Sequence, residues 1–221
     1  AGDVGIGTDV PDSAAHVLNT AILNVGVVTA TTLYGDGSNL TNVGGLTTDT
    51  YRNTSGGINA LDSITGPGDA TDNTVIGYDV ATALTTGDKN IAIGSYALLT
   101  ATTGGNNVAV GYEALKVQTT ASYNTALGSG TLKANTSGSS NVAVGGLALT
   151  ANTTGNYNIA IGVDTLSTNT TGSNNTAVGE DGLRNNTTGA YNVSIGFETL
   201  KANTTAGECV ALGSQALYSN T

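Results

Sequence analysis

The chain has 221 residues, of which 10% are charged and 5% aromatic, with 32 Gly and neither Trp nor Met; a conventional globular core would draw on more large apolar side chains. Low charge and regularly placed apolar residues also exclude simple disorder. The net charge of −10 offers no basic face for phosphates, and no apolar run reaches the length of a membrane span, so nucleic-acid binding and membrane insertion are both excluded as readings.

The front segment, residues 1–52, carries no period. Residues 4–8 (VGIGT) and 22–34 (ILNVGVVTATTLY) suggest two or three short strands, and Gly35–Asn39 has turn chemistry. With so few large side chains this region reads as a small β-rich connector, of the β-prism kind, that depends on oligomerisation. Ala1 is not an initiator residue, which points to a fragment or a processed product. Residues 1–72 hold eight acids against the single base Arg52.

Residues 53–72 read as a worn capping repeat. Asn53 opens it, Gly57 takes a glycine slot, Ala60-Leu61 match the later Ala-Leu pair, and three extra residues precede Asn73. From residue 73 to 221 the chain is nine 17-residue repeats, the last incomplete, with a glycine recurring from Gly77 to Gly213. Repetition at a fixed short period marks a stacked architecture in which neighbouring units share a continuous core.

Each repeat opens on Asn, then Val, Ile or Thr, then Ala, a branched aliphatic and Gly, as in 107–111 (NVAVG) and 158–162 (NIAIG). The alternation predicts a short strand with Val108 and Val110 on one face and Asn107 and Ala109 on the other. Gly111 ends the strand where a side chain would obstruct the backbone. Stacking aligns the opening Asn residues into a hydrogen-bonded ladder. Cys209 takes that slot in the last repeat, a neutral replacement for Asn.

In the middle of three repeats an acid precedes a base by three residues: Glu113–Lys116, Asp181–Arg184 and Glu198–Lys201. This spacing fits a solvated turn. Leu115 and its equivalents up to Leu217 point inward, and the Thr-Thr-Gly that follows has turn chemistry. Asn135, Asn152 and Asn169 match glycosylation acceptors formally and read as turn residues.

Only two large apolar side chains recur reliably in each repeat, Val110 and Leu115 in the third copy. On that count a single coil lacks the bulk for its own interior, which predicts three copies sharing one axial core. The fold class expected is all-β: an elongated homotrimeric parallel β-roll or solenoid with a small β N-terminal region. Replacing Val110 and Val144 with Asp is then expected to prevent trimer assembly.

Two resemblances rest on these residues. The NVAVG, NIAIG and NTAVG openings followed by Ala-Leu and NTTG resemble the head repeats of trimeric adhesins and related phage fibres. Residues 3–8 (DVGIGT), His16-Val17 and 28–43 (VTATTLYGDGSNLTNV) are similar to segments of phage tail-fibre proteins. The resemblance implies a homotrimeric, extracellular virion fibre attaching to a host cell. Its partners would be its own copies, other fibre or baseplate proteins, and a host-surface glycan or protein. A bacterial surface adhesin is the alternative.

Catalytic candidates are few. His16 is the lone histidine and lacks a triad context. The acid pair Glu180–Asp181 is what a glycan-cleaving tailspike would use, yet beside Arg184 it reads as a solvated turn. Asp69 and Asp72 lack a calcium-loop pattern. An ice-binding Thr face needs Thr two apart on a strand, and here they are adjacent. The reading is non-enzymatic, with no catalytic, cofactor or metal residue assigned.

Overall fold

The computed structural model describes residues 47–64 and 69–220, all within one compact unit, Gly37–Thr221. The expected strands of residues 4–34, His16 and most of the front segment lie outside the described residues. The unit is an all-β solenoid. Its strands are β1 (Thr47–Thr48), β2 (Thr54–Gly56), β3 (Thr74–Ile76), β4 (Ile91–Ile93), β5 (Val108–Val110) and β6 (Thr125–Leu127). The stack continues with β7 (Val142–Val144), β8 (Ile159–Ile161), β9 (Thr176–Val178), β10 (Val193–Ile195) and β11 (Val210–Leu212).

All eleven strands form one sheet in chain order. β1 pairs antiparallel with β2, and every later pair is parallel. Register advances by one repeat, so that Ala109 pairs with Ala126 and Ala126 with Ala143. Between β2 and β3 the offset is longer, Thr54 opposite Thr74, and Asn53 still takes its place beneath Asn73. Coil positions are numbered below from the opening Asn as position 1.

Backbone bonds tie each coil to both neighbours around its circumference. The coil that begins at Asn124 shows the pattern: Thr125 N–H donates to the Asn141 carbonyl at 2.8 Å and Leu132 N–H to Ala148 at 3.1 Å. In the other direction Gly128 N–H donates to Val110 at 2.8 Å and Ser140 N–H to Ser122 at 3.1 Å. The chain therefore satisfies its peptide groups by stacking, as a buried backbone requires.

A coil of this size closes only by bending sharply at fixed places. Positions 5, 7, 9 and 17 all take positive φ, for example Gly111 (139°), Glu113 (57°), Leu115 (50°) and Tyr123 (63°). Leucine rarely adopts this conformation. At position 9 full burial offsets the cost, since Leu98 through Leu200 are 0% exposed. At position 5 only glycine fits, because a Cβ on Gly111 would stand 2.4 Å from the carbonyl oxygen of Gly128.

The interior is narrow and lies within one chain. Position 3 sends in Ala92, Ala109, Ala126 and their equivalents, position 8 Ala, Thr or Gly, and position 9 Leu from Leu98 to Leu200. The first coil has Val80 and Ala81 there, and Leu217 of the last coil, expected inward, is 51% exposed because no described coil covers it. Burying the Leu stabilises each coil by about 2 kcal/mol. Two findings correct the sequence reading. The strand aliphatics, Val110 and Val144 among them, face outward, while Ala and Asn fill the space between sheet and turns. The coil thus encloses its own core without needing a second chain's side chains, because a thin coil needs little bulk.

The remaining interior is polar and, among the described residues, paired except at Asn203 Oδ1. Asn90 Nδ2 donates to Asn73 Oδ1 at 3.1 Å and to the Gly104 carbonyl at 3.0 Å, and Asn90 N–H also donates to Asn73 Oδ1 at 2.8 Å. This pattern runs up to Cys209, whose N–H still donates to Asn192 Oδ1 at 3.0 Å, with one change at Asn124, whose Nδ2 turns to Gln118 Oε1 while its N–H keeps Asn107 Oδ1. The expected ladder is present. A second ladder is not where turn chemistry put it: Asn135, Asn152 and Asn169 are buried at position 12. Asn152 Nδ2 donates to Asn135 Oδ1 at 2.8 Å and to the Gly155 carbonyl at 3.0 Å, and Asn169 repeats this on Asn152 at 2.9 Å. Their amides point inward, so these residues are not surface acceptor sites.

Gly111→Ala should destabilise the fold by about 2–4 kcal/mol, since strain and a backbone clash combine. Gly146→Ala should be close to neutral, as its Cβ would meet nothing within 4 Å. Chemical denaturation of the two variants checks this contrast. Asn158→Ala removes a rung and strands the Asn175 N–H, which donates to Asn158 Oδ1, while Asn175 Nδ2 loses one of its two acceptors. It should cost about 2–4 kcal/mol by the same measurement, whereas Ala at the exposed Asn174 should cost under about 1 kcal/mol.

Candidate functional site

A three-residue strand that sends its middle residue inward sends both neighbours out. Repeated in register, this builds two outward columns along the sheet. Position 2 is always β-branched, from Thr74 to Val210, and position 4 is apolar in every coil from Ile76 to Leu212. Ile93 is 36% exposed, Leu127 47% and Leu212, in the last coil, 73%, while valines of the stripe such as Val110 and Val144 are half-buried. At a rung spacing of about 4.8 Å the nine rungs extend for roughly 40 Å. Contiguous apolar surface on this scale, broken at position 2 only by Thr74, Thr125 and Thr176, is a candidate interaction face rather than ordinary surface scatter.

The turn after the strand carries charge instead. Glu113 accepts from Lys116 at 2.6 Å and meets Lys133 of the next coil at 2.6 Å. Asp181 is paired with Arg184 at 3.1 Å and with Lys201 at 2.7 Å, and Glu198 with Lys201 at 2.6 Å. The three acid–base spacings read from sequence do form ion pairs, and Arg184 and Lys201 also reach an acid of the preceding coil. Hydrogen bonds from Lys116 and then Lys133 hold the Glu113 carboxyl below its ordinary pKa, and Lys201 followed by Gln215 does the same for Glu198. Lys201 is raised by its bonds to Asp181 and Glu198.

The catalytic candidates do not assemble. Glu180 is exposed while its neighbour Asp181 is engaged by two bases, so they are not a matched acid and nucleophile. Asp72 is bound by Arg52 at 2.6 Å, and Asp69 lies in the preceding turn. Among the described residues no group of three or more His, Cys, Asp or Glu is placed to hold a metal ion, and no helix is long and apolar enough to cross a membrane. Cys209 is partly buried with Asn220 Nδ2 donating to its sulfur at 3.7 Å.

The Thr pairs split into two roles. At position 13 the hydroxyl donates to the carbonyl of the coil above, as Thr153 does to Thr170 at 3.0 Å. Position 14 is exposed in single file at the turn, with Ser137 as the one replacement for Thr.

Sequence reading missed the tyrosines. Tyr78, Tyr96 and Tyr112 form an edge-to-face series with centroids 5.7 and 5.9 Å apart, and Lys116 sits 5.5 Å from the Tyr96 centroid. Tyr123, Tyr157 and Tyr191 stand alone at position 17 in alternate coils, 62–65% exposed. Their 34-residue interval was visible in the sequence.

No family model, curated protein or solved structure matches the chain. The fold itself defines the class: a β-solenoid repeat protein of about nine 17-residue turns.

The carboxylates Glu113 and Glu198 have depressed values in the folded chain, so their contribution is present above the ordinary Glu range and is lost as pH falls through the folded values. Melting temperature should therefore fall below about pH 4. A Glu113→Gln/Glu198→Gln variant should start lower at neutral pH and show a smaller acid loss, measured by circular dichroism.

Proposed function

We propose that the chain is a non-enzymatic structural segment, shaft or head, of a homotrimeric viral tail fibre that attaches the virion to a host cell. The outward apolar stripe is the observation that carries this reading. A monomer gains nothing from an unbroken column of Ile, Val and Leu in water, and three copies arranged about an axis would bury it. Obligate association through apolar strips that run the length of a rod also suits a shaft bearing load. Low charge and a described interior filled by Ala, Leu and buried Asn suit a spacer more than a catalyst. The likeness of the front segment to tail-fibre proteins favours a virion over a bacterial surface.

Light scattering should return three times the 21.7 kDa chain mass. A Val110→Asp/Val144→Asp variant should be monomeric yet retain the wild-type circular dichroism spectrum, because both side chains lie outside the coil. A monomeric wild type would remove the assembly reading, and a trimeric variant would move the interface to another face.

A further inference from the structure

The three tyrosines at position 17 are exposed and sit in strained backbone. Each sits at positive φ, 63° at Tyr123, 57° at Tyr157 and 61° at Tyr191, a conformation that favours Asn or Gly. Asn106, Ser140 and Asn174, and also Lys89 and Glu208, occupy the same position in other coils, so the fold there does not require an aromatic ring. Leucine at position 9 is compensated by burial, but these rings are 62–65% exposed, and among the described residues nothing bonds their hydroxyls. An aromatic ring kept at an unfavourable, solvent-facing position in every second coil points to a ligand.

Their backbones are held alike. Tyr123 N–H donates to the Gly105 carbonyl at 3.2 Å, Tyr157 N–H to Ser139 at 3.2 Å and Tyr191 N–H to Ser173 at 3.1 Å. The rings therefore project from equivalent rungs of a rigid ladder, about 9.6 Å apart from one to the next. Between them stand the polar side chains of Ser140 and Asn174. Beside them Ser122, Ser139 and Ser173 accept hydrogen bonds from backbone N–H groups of the preceding coil, at 3.1, 3.2 and 3.0 Å, which stiffens the flank.

We infer that the Tyr123–Tyr157–Tyr191 column binds an extended, uncharged β-1,4-linked polysaccharide. Such a chain is a two-fold ribbon that presents the same sugar face once per disaccharide, and the two-coil interval matches that repeat. Sugar C–H faces stack on aromatic rings, while Asn and Ser between the rings can bond the ring hydroxyls. A net charge of −10 disfavours an anionic polymer. Sugar binding here deepens the attachment role proposed above by naming its ligand class, and it does not require a particular oligomeric state.

Titration calorimetry of the full chain with cellohexaose and chitohexaose, against α-linked maltohexaose, tests this. At least one β-1,4 hexasaccharide should bind and maltohexaose should not. Tyr123→Ser/Tyr157→Ser/Tyr191→Ser should abolish binding with the circular dichroism spectrum and solution mass unchanged. Serine already occupies this position at residue 140, so the variant should fold. Absence of binding by the wild type to both β-linked sugars, or binding that survives in the triple variant, would overturn the inference. So would a fall in oligomeric mass in the triple variant, which would make the column a contact between copies. A wild type that binds sugar as a monomer would sink the trimer alone and leave the column intact.

Discussion

Stacked, buried asparagine is the constraint on which the rest of this structure depends. Placing a primary amide in a dry interior costs several kcal/mol unless each donor and acceptor finds a partner. Here the partners are the amide one coil below and a carbonyl of the same coil, so satisfaction requires the Asn positions of successive coils to stay in register. The longer first coil keeps that register, with Asn73 Nδ2 on Asn53 Oδ1 at 3.0 Å. The in-register strands descend from this requirement. The ladders have edges. Gln118 takes position 12 where the second one begins, its Oε1 accepting from Asn124 Nδ2 at 3.1 Å, while Leu84 and Ala101 below it keep that position apolar. At the far end, Asn203 Oδ1 is buried without a partner.

A thin, amide-laced interior determines what is left for the surface. Only small side chains and one leucine per coil fit inside, so the strand's larger aliphatics have nowhere to go but out. The same geometry that stabilises a coil therefore creates the apolar stripe. Core and stripe sit on opposite faces of one three-residue strand. Changes to the outward face can be made rung by rung without touching the core.

Much of this was legible in the sequence. The 17-residue period, strand placement, inward Leu, ion-pair spacings and the first Asn ladder all follow from repetition plus simple alternation. What failed was the choice of face. Hydrophobicity favours Val108 and Val110 over Asn107 and Ala109 as the core, and only the pairing of amides across coils reverses that preference. The second ladder hid inside Asn-Thr-Thr-Gly, whose composition signals a turn equally well. Positive φ at Leu115 and its equivalents has no sequence signature, because burial rather than local preference imposes it. The alternate-coil tyrosines were countable from the start, but their significance needed the knowledge that position 17 is strained and exposed.

Which face of the strand is interior can be measured through the asparagine side chains themselves. Hydrogen exchange at the Nδ2 groups of Asn141, Asn158 and Asn175, followed by NMR, should be slowed by orders of magnitude relative to the exposed Asn106 and Asn174 in the same sample. Exchange of all five at the rate of a free amide would place the ladder in solvent and the valines inside, contradicting the structure at its foundation.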